Sequence, residues 1–310
     1  MSPRRGVNAV AWASLLTVAL VSAPLAAQAQ DPPAHGPAPP ANAPAPPANA
    51  LVPPAKPAGP PVKSPGPVVR YSLWLDATVT GVAMAWWLGS ELARDQLAPA
   101  TCRWCDPPAF DTSVRDQLRW QHTGTPDITS YVLAVVQPMM VVTLDVIAAD
   151  KDGGPGDAWV DALLISEATA VAMALNQTVK FFVGRERPFV HALSEADKPS
   201  TARPSDNNLS FYSAHTSLTF AVAASTGTIA SMRRYRMAPW IWTAGIAMAA
   251  VTGYLRIAAD RHYASDVVVG AVVGSLTGIA VPYFFHSPRQ MSVTPVPTAG
   301  GLSLMVHGEF

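Results

Sequence analysis

Three short blocks collect charge, imidazole and hydroxyl in an otherwise apolar chain: Lys180 with Arg187-Pro188, Tyr212-Ser213-Ala214-His215, and Arg256 with His262 and Asp266. Lys180, Arg187 and Arg256 supply three positive charges, and each arginine can grip phosphate oxygens through two parallel N–H bonds. Ser213 is placed to cap the helix that follows. Its hydroxyl, the N–H of Ala214 and the positive end of that helix would then face an anion. His262 and Asp266 are four residues apart, so one helical turn lets the carboxylate reach the ring. A carboxylate behind an imidazole fixes its tautomer and stabilises the imidazolium, which is a nucleophile arrangement. The second histidine, His215, can protonate a leaving oxygen. The spacing therefore predicts a phosphate site with two histidines. It needs no metal, because three cations do the neutralising.

Taken singly, each residue has a plainer role, since a Lys, Arg or His at a helix end commonly complements the dipole. Joint occurrence in this order is what points to chemistry. His122, His191 and His286 fall outside the pattern and read as structural or solvated, and Arg185 and Glu186 as a solvated pair. Trp86, Trp87, Trp240 and Trp242 read as interfacial or core aromatics.

The elements that must position these blocks are helices. Apolar segments rich in Ala, Val, Leu and Met occur at about 71–94, 128–149, 158–182, 214–232, 239–257 and 265–285, without sustained period-two alternation. Each block falls at a helix end, and Pro188 is expected to stop the third helix. The predicted fold class is all-α, with a short packed hairpin at 289–310 around Thr298-Ala299-Gly300-Gly301.

Lengths near 20 residues suit a bilayer. Residues 207–232, 237–255 and 267–288 carry no formal charge, whereas Asp76, Asp145 and Glu167 interrupt the first three helices. Two arrangements remain open: helices spanning an inner membrane, or a water-soluble periplasmic bundle. The basic connector Arg233–Arg236 would lie on the cytoplasmic side of a spanning protein, leaving the three blocks outside. Cys102 and Cys105 would then face an oxidising compartment, where a disulfide is the plain reading; a redox pair or a zinc site lacks supporting neighbours.

Composition divides the chain further. Arg4 and Arg5, an apolar run and Ala27-Gln28-Ala29 form an export signal at 1–29, or else an uncleaved anchor. Residues 30–68 are a Pro/Ala-rich linker that cannot repay ordering entropy, either a tether or a Pro-rich ligand. The remaining 69–288 forms one helical domain. Its formal charge is slightly negative, which excludes a basic nucleic-acid binder.

The order Lys-x6-Arg-Pro, Ser-x-His, Arg-x5-His-x3-Asp resembles the type 2 phosphatidic acid phosphatase and vanadium haloperoxidase superfamily across 180–266. The resemblance implies a six-helix bundle of the acid phosphatase/vanadium haloperoxidase type. It also implies hydrolysis of a phosphomonoester or pyrophosphate bond of a lipid substrate, through a phosphohistidine. On that pattern His262 is the nucleophile, Asp266 its orienting partner and His215 the general acid. Lys180, Arg187, Ser213, Ala214 and Arg256 bind phosphate, with no metal and no cofactor. Tyr212, Ala214 and Leu255 depart from the usual Pro-Ser-Gly-His and Ser-Arg signatures without touching the acid, the nucleophile or a charged ligand. The expected partners are a phosphorylated lipid or small phosphoester and a membrane, with no obligate protein partner. The alternatives are a haloperoxidase holding vanadate in the same site, a soluble periplasmic acid phosphatase, and a catalytically silent envelope protein.

Overall fold

The computed structural model describes residues 67–288 and, as backbone, 292–298 and 301–307. The export signal at 1–29 and the linker up to residue 66 lie outside the described residues. Nine α-helices occur among the described residues: α1 (Leu73–Leu92), α2 (Arg94–Leu97), α3 (Ala109–Leu118), α4 (Gly124–Asp152), α5 (Asp157–Val183), α6 (Pro188–His191), α7 (Ala214–Met232), α8 (Ala238–Ala258) and α9 (Ala264–Ala280). A π-turn, Val281–Phe285, prolongs α9. Each of the six expected apolar segments corresponds to one of the long helices, α1, α4, α5, α7, α8 and α9, and three shorter helices were not expected. The additional helices, α2, α3 and α6, have 4, 10 and 4 residues, too few turns to show a clear apolar period. Beyond residue 288, the backbone of β1 (Ser292–Thr298) runs antiparallel to β2 (Gly301–His307). The side chains of this segment, on which a packed hairpin depends, lie outside the described residues.

Gly184, not Pro188, terminates α5. It adopts the left-handed conformation (φ 59°, ψ 43°) and its N–H bonds the carbonyl of Lys180, a common glycine helix stop. Pro188 instead opens α6, where its missing N–H costs nothing.

The helix α7 packs most extensively against α9 and α8. Its seam with α9 is set by glycines at every fourth position. A Cβ on Gly270, Gly274 or Gly278 would come within 2.9, 2.5 and 2.5 Å of the carbonyl oxygens of Ser213, Ser217 and Ala221. Small residues at this spacing let two helix backbones touch. The two helices consequently begin side by side, with the Ser213 N–H donating to the Asp266 carbonyl at 3.1 Å.

Polarity is arranged inside-out on α4. Ile128, Val132, Val135, Val136 and Met139 are exposed, while Ser130, Gln137 and Asp145 are buried. Inside, the Gln137 amide donates to the carbonyl of Thr219 at 3.0 Å. Among the described residues, four helical segments are long and apolar enough to cross a membrane: α4, α5, α8 and Ala264–Phe285.

Two arginines of the basic connector are paired with carboxylates. Arg233 is buried between Asp157 and Asp161, both at 2.7 Å, and Arg236 reaches Asp152 at 3.0 Å. These pairs tie the connector after α7 to the end of α4 and the start of α5.

Candidate active site

Both ends of the seam between α7 and α9 matter, and the histidines gather where these helices start. Lys180 stands in the last turn of α5 and Arg256 in the last turn of α8, while His215 is in the first turn of α7. His262 precedes Tyr263, the N-cap of α9. Lys180, Arg187 and Arg256 all act electrostatically on both His215 and His262, so the three blocks meet in one place.

The buried ring of His262 is held at both nitrogens. Its Nδ1 lies 2.8 Å from the carbonyl oxygen of Ser210. A carbonyl only accepts, so Nδ1 carries the proton and the neutral ring keeps its lone pair on Nε2. That Nε2 faces the guanidinium of Arg187 at 3.2 Å. Asp266 stands 3.7 Å from Nδ1, within ion-pair reach of the ring but beyond hydrogen-bond distance. Its carboxylate is committed elsewhere, accepting from the Ser210 hydroxyl at 2.6 Å and from the N–H of Tyr263 at 2.9 Å. The second of these bonds is made by the side chain at the third position of α9 reaching back to its cap. Asp266 therefore braces Ser210 and the helix start, and Ser210 in turn holds the ring.

Ser213 caps α7, accepting from Thr216 N at 3.5 Å and from the Thr216 hydroxyl at 3.0 Å. Ala214 opens the helix and is absent from the positive-φ residues among the described positions, so its N–H has the helical direction an anion cradle requires. The ring of His215 meets Tyr131 edge-on, with centroids 4.4 Å apart.

Two of the three cations are not bare. Arg187 bonds Asp206 through its side chain at 2.8 Å and its backbone carbonyl at 2.9 Å, and also donates to the Arg261 carbonyl at 2.9 Å. Arg256 bonds Asp127 at 2.7 Å and Ser130 at 2.9 Å. The Lys180 side chain is buried and makes no hydrogen bond or ion pair among the described residues. Asp127 and Asp206 were not foreseen from sequence. They fix the arginines' direction while leaving the site positive.

Burial pushes both histidines well below their usual range, since it penalises the charged ring. For His262 the charges of Arg187, Arg256, Lys180 and His215 add to this, and for His215 those of Arg256, Lys180, Arg187 and Arg261. Both rings are accordingly neutral at pH 7.

Arg185 and Glu186 are not a solvated pair. Arg185 is 1% exposed and reaches Asp266 at 2.5 Å, Asp111 at 2.7 Å and Ser265 at 2.8 Å. Its guanidinium is stacked between Trp104 and Tyr263, 3.9 and 4.4 Å from the ring centroids. Glu186, also buried, bonds Lys198 at 2.8 Å and His191 at 3.2 Å. Their adjacency in sequence suggested mutual pairing, but extended backbone turns neighbouring side chains to opposite sides. Trp104 lies between Cys102 and Cys105, which are joined as a disulfide.

Residues 161–289, which hold all three blocks, match the family model of the PAP2 superfamily. Among curated proteins, the chain is similar to a lipid A 1-phosphatase of Porphyromonas gingivalis, with 32% identity over 127 residues, or 40% of this chain and 24% of that protein. It is also similar to phospholipid phosphatase 2 of Bos taurus, 26% identical over 159 residues (42% of this chain, 55% of the relative). The Rattus norvegicus counterpart is 28% identical over 147 residues, covering 40% and 53%. The chain thus spans about half or less of the length of these relatives.

Proposed function

We propose that this chain is a phosphatase that hydrolyses a phosphomonoester or pyrophosphate of a lipid, without a metal, through a phosphohistidine on His262. The observation that carries the reading is the buried His262, with Nδ1 tied to a carbonyl and its Nε2 lone pair turned into a cluster of three cations. In the first step Nε2 forms a bond to phosphorus as the ester P–O bond breaks. The His262 proton stays on Nδ1, held by Ser210, and Asp266 stabilises the resulting positive ring from 3.7 Å. Lys180, Arg187 and Arg256, with the Ser213 hydroxyl and the Ala214 N–H, take the charge on the phosphoryl oxygens. His215 gives a proton to the leaving oxygen. A bound phosphate dianion supplies the negative charge that lets His215 acquire that proton, offsetting the cations that otherwise keep it neutral. Water then attacks phosphorus, with His215 as the base, and the P–N bond breaks to release phosphate.

The names of the relatives support a lipid substrate. The apolar outward faces of α4 and of the segment 264–285 support a membrane setting, as do the four segments long enough to span. The disulfide packed beside Arg185 supports an oxidising side for this end of the molecule. We further propose that the six long helices, α1, α4, α5, α7, α8 and α9, form the bundle of the acid phosphatase/vanadium haloperoxidase type.

Phosphate release by the detergent-solubilised chain from phosphatidate, lipid A phosphate, a polyprenyl pyrophosphate and a soluble ester, with and without EDTA, tests this. Chelator-resistant release from a lipid is expected, with His262→Ala inactive and His215→Ala slowed by about 10²–10⁴. No release from any substrate, or release that survives in His262→Ala, would sink the proposal.

A further inference from the structure

We propose that Asp76, Glu167 and His286 bind one divalent transition-metal ion of zinc type, at a second site remote from the histidine pair. Asp76 lies in the first turn of α1, Glu167 within α5, and His286 directly after the π-turn. All three are buried, and one ligand atom from each lies within 4.8 Å of the others.

Two further observations point to an ion rather than to an acidic cluster alone. First, His286 is set as metal-bound imidazoles usually are. Its Nδ1 donates to the Arg70 carbonyl at 3.0 Å, which leaves the lone pair of the neutral ring on Nε2. Secondly, Nε2 and Oε2 of Glu167 are 3.2 Å apart, an ion-pair distance, with side chains only 4% and 8% exposed, but they do not align into a hydrogen bond. Two ligand atoms on bonds of about 2.1 Å, roughly 100° apart at a metal, stand at this separation. A buried nitrogen and a buried carboxylate oxygen left unbonded are costly, and an ion between them would remove that cost.

Charge leads to the same conclusion. The two carboxylates bring two negative charges, which one divalent cation balances. One imidazole nitrogen with two carboxylate oxygens suits zinc better than calcium, which takes six to eight oxygens. Asp76 is already steadied by accepting the Ser72 N–H at 2.8 Å. The ion would join three segments far apart in the chain, beside the Arg70 N–H bond to the His286 carbonyl at 3.0 Å. Glu167 precedes Lys180 by 13 residues on α5, which at the helical rise is about 20 Å. The ion would therefore be structural and take no part in phosphate chemistry.

The experiment uses the full chain, untagged, in detergent, stripped with chelator and dialysed against Zn²⁺, with bound metal counted by mass spectrometry and stability followed by melting. One zinc per chain and a Tm rise of several degrees are expected. Both should be lost in Glu167→Gln, which keeps the side chain's shape, and in Asp76→Asn, and both kept in His262→Ala. Wild type that takes up no zinc, or uptake unchanged in Glu167→Gln, would overturn the site. So would uptake lost only in His262→Ala, since that ion would belong to the phosphate site. Because metal content is read directly, failure here leaves the phosphatase reading standing, and the converse also holds.

Discussion

Arg185 holds Asp266 at 2.5 Å while stacked between Trp104 and Tyr263, so the carboxylate behind His262 is positioned by a guanidinium from the first block. Asp111 shares that guanidinium and also takes the Ser265 N–H and hydroxyl, at 2.9 and 2.6 Å. One buried arginine thus joins α3, the chain after α5 and the start of α9. Removing it in Arg185→Ala leaves two buried carboxylates facing each other, at a cost of about 3–5 kcal/mol. Arg185→Lys keeps the charge but loses the fork and the planar stacking, so it should fold better yet remain slow, chiefly in kcat. Melting curves with kcat and KM for both variants check this; a fully active Lys variant would remove Arg185 from any positioning role.

The acid limb of kcat/KM is expected below pH 6.5. Burial first, then Arg187, Arg256, Lys180 and His215, holds the His262 ring well below its ordinary value. The folded ring therefore stays neutral where an unfolded one takes up a proton, below about pH 6.5. The stability present above that pH is lost progressively as pH falls from the unfolded value toward the folded one. Arg187→Met removes the strongest of these charges and should move the acid limb upward. A pH–rate profile read on both proteins decides the matter, and an unmoved limb would count against the electrostatic account.

The glycine seam should govern activity as well as stability. A Cβ on Gly274 would lie 2.5 Å from the Ser217 carbonyl oxygen and 3.0 Å from its Cα, both backbone atoms. Gly274→Ala must therefore push α7 from α9, at a cost of about 1–3 kcal/mol. The Ser213–Asp266 backbone bond lies on the same seam, so phosphate release should fall along with Tm. Gly81→Ala, on an exposed helical face with nothing within 4 Å, is the control: it should leave phosphate release unchanged and raise Tm slightly, as Ala favours a helix over Gly.

The three blocks were readable in sequence because their spacing is local and each falls at a helix end. Their acidic partners were not. Asp111 and Asp127 lie 74 and 129 residues from the Arg185 and Arg256 they bond, and only packing brings them together. The His262–Asp266 spacing showed the carboxylate within reach of the ring, but not that the backbone N–H of Tyr263 and the Ser210 hydroxyl take its hydrogen bonds. For α7 and α9 the signal was present, as glycines at 270, 274 and 278. A purely hydrophobic reading passes over it, because a glycine stripe shows its purpose only against the opposing backbone. Asp76 and Glu167 likewise looked like interruptions of apolar helices until the fold set them beside His286.

The central claim is that His262 carries the phosphoryl group, and trapping it is the most direct test. The chain would be mixed briefly with a ³²P-labelled lipid phosphomonoester, quenched in alkali, digested, and the labelled peptide sequenced. The account predicts an alkali-stable, acid-labile label on His262 that accumulates further in His215→Ala if loss of the base slows hydrolysis more than transfer. Label on any other residue, or turnover by wild type with no covalent label at any quench time, would contradict it.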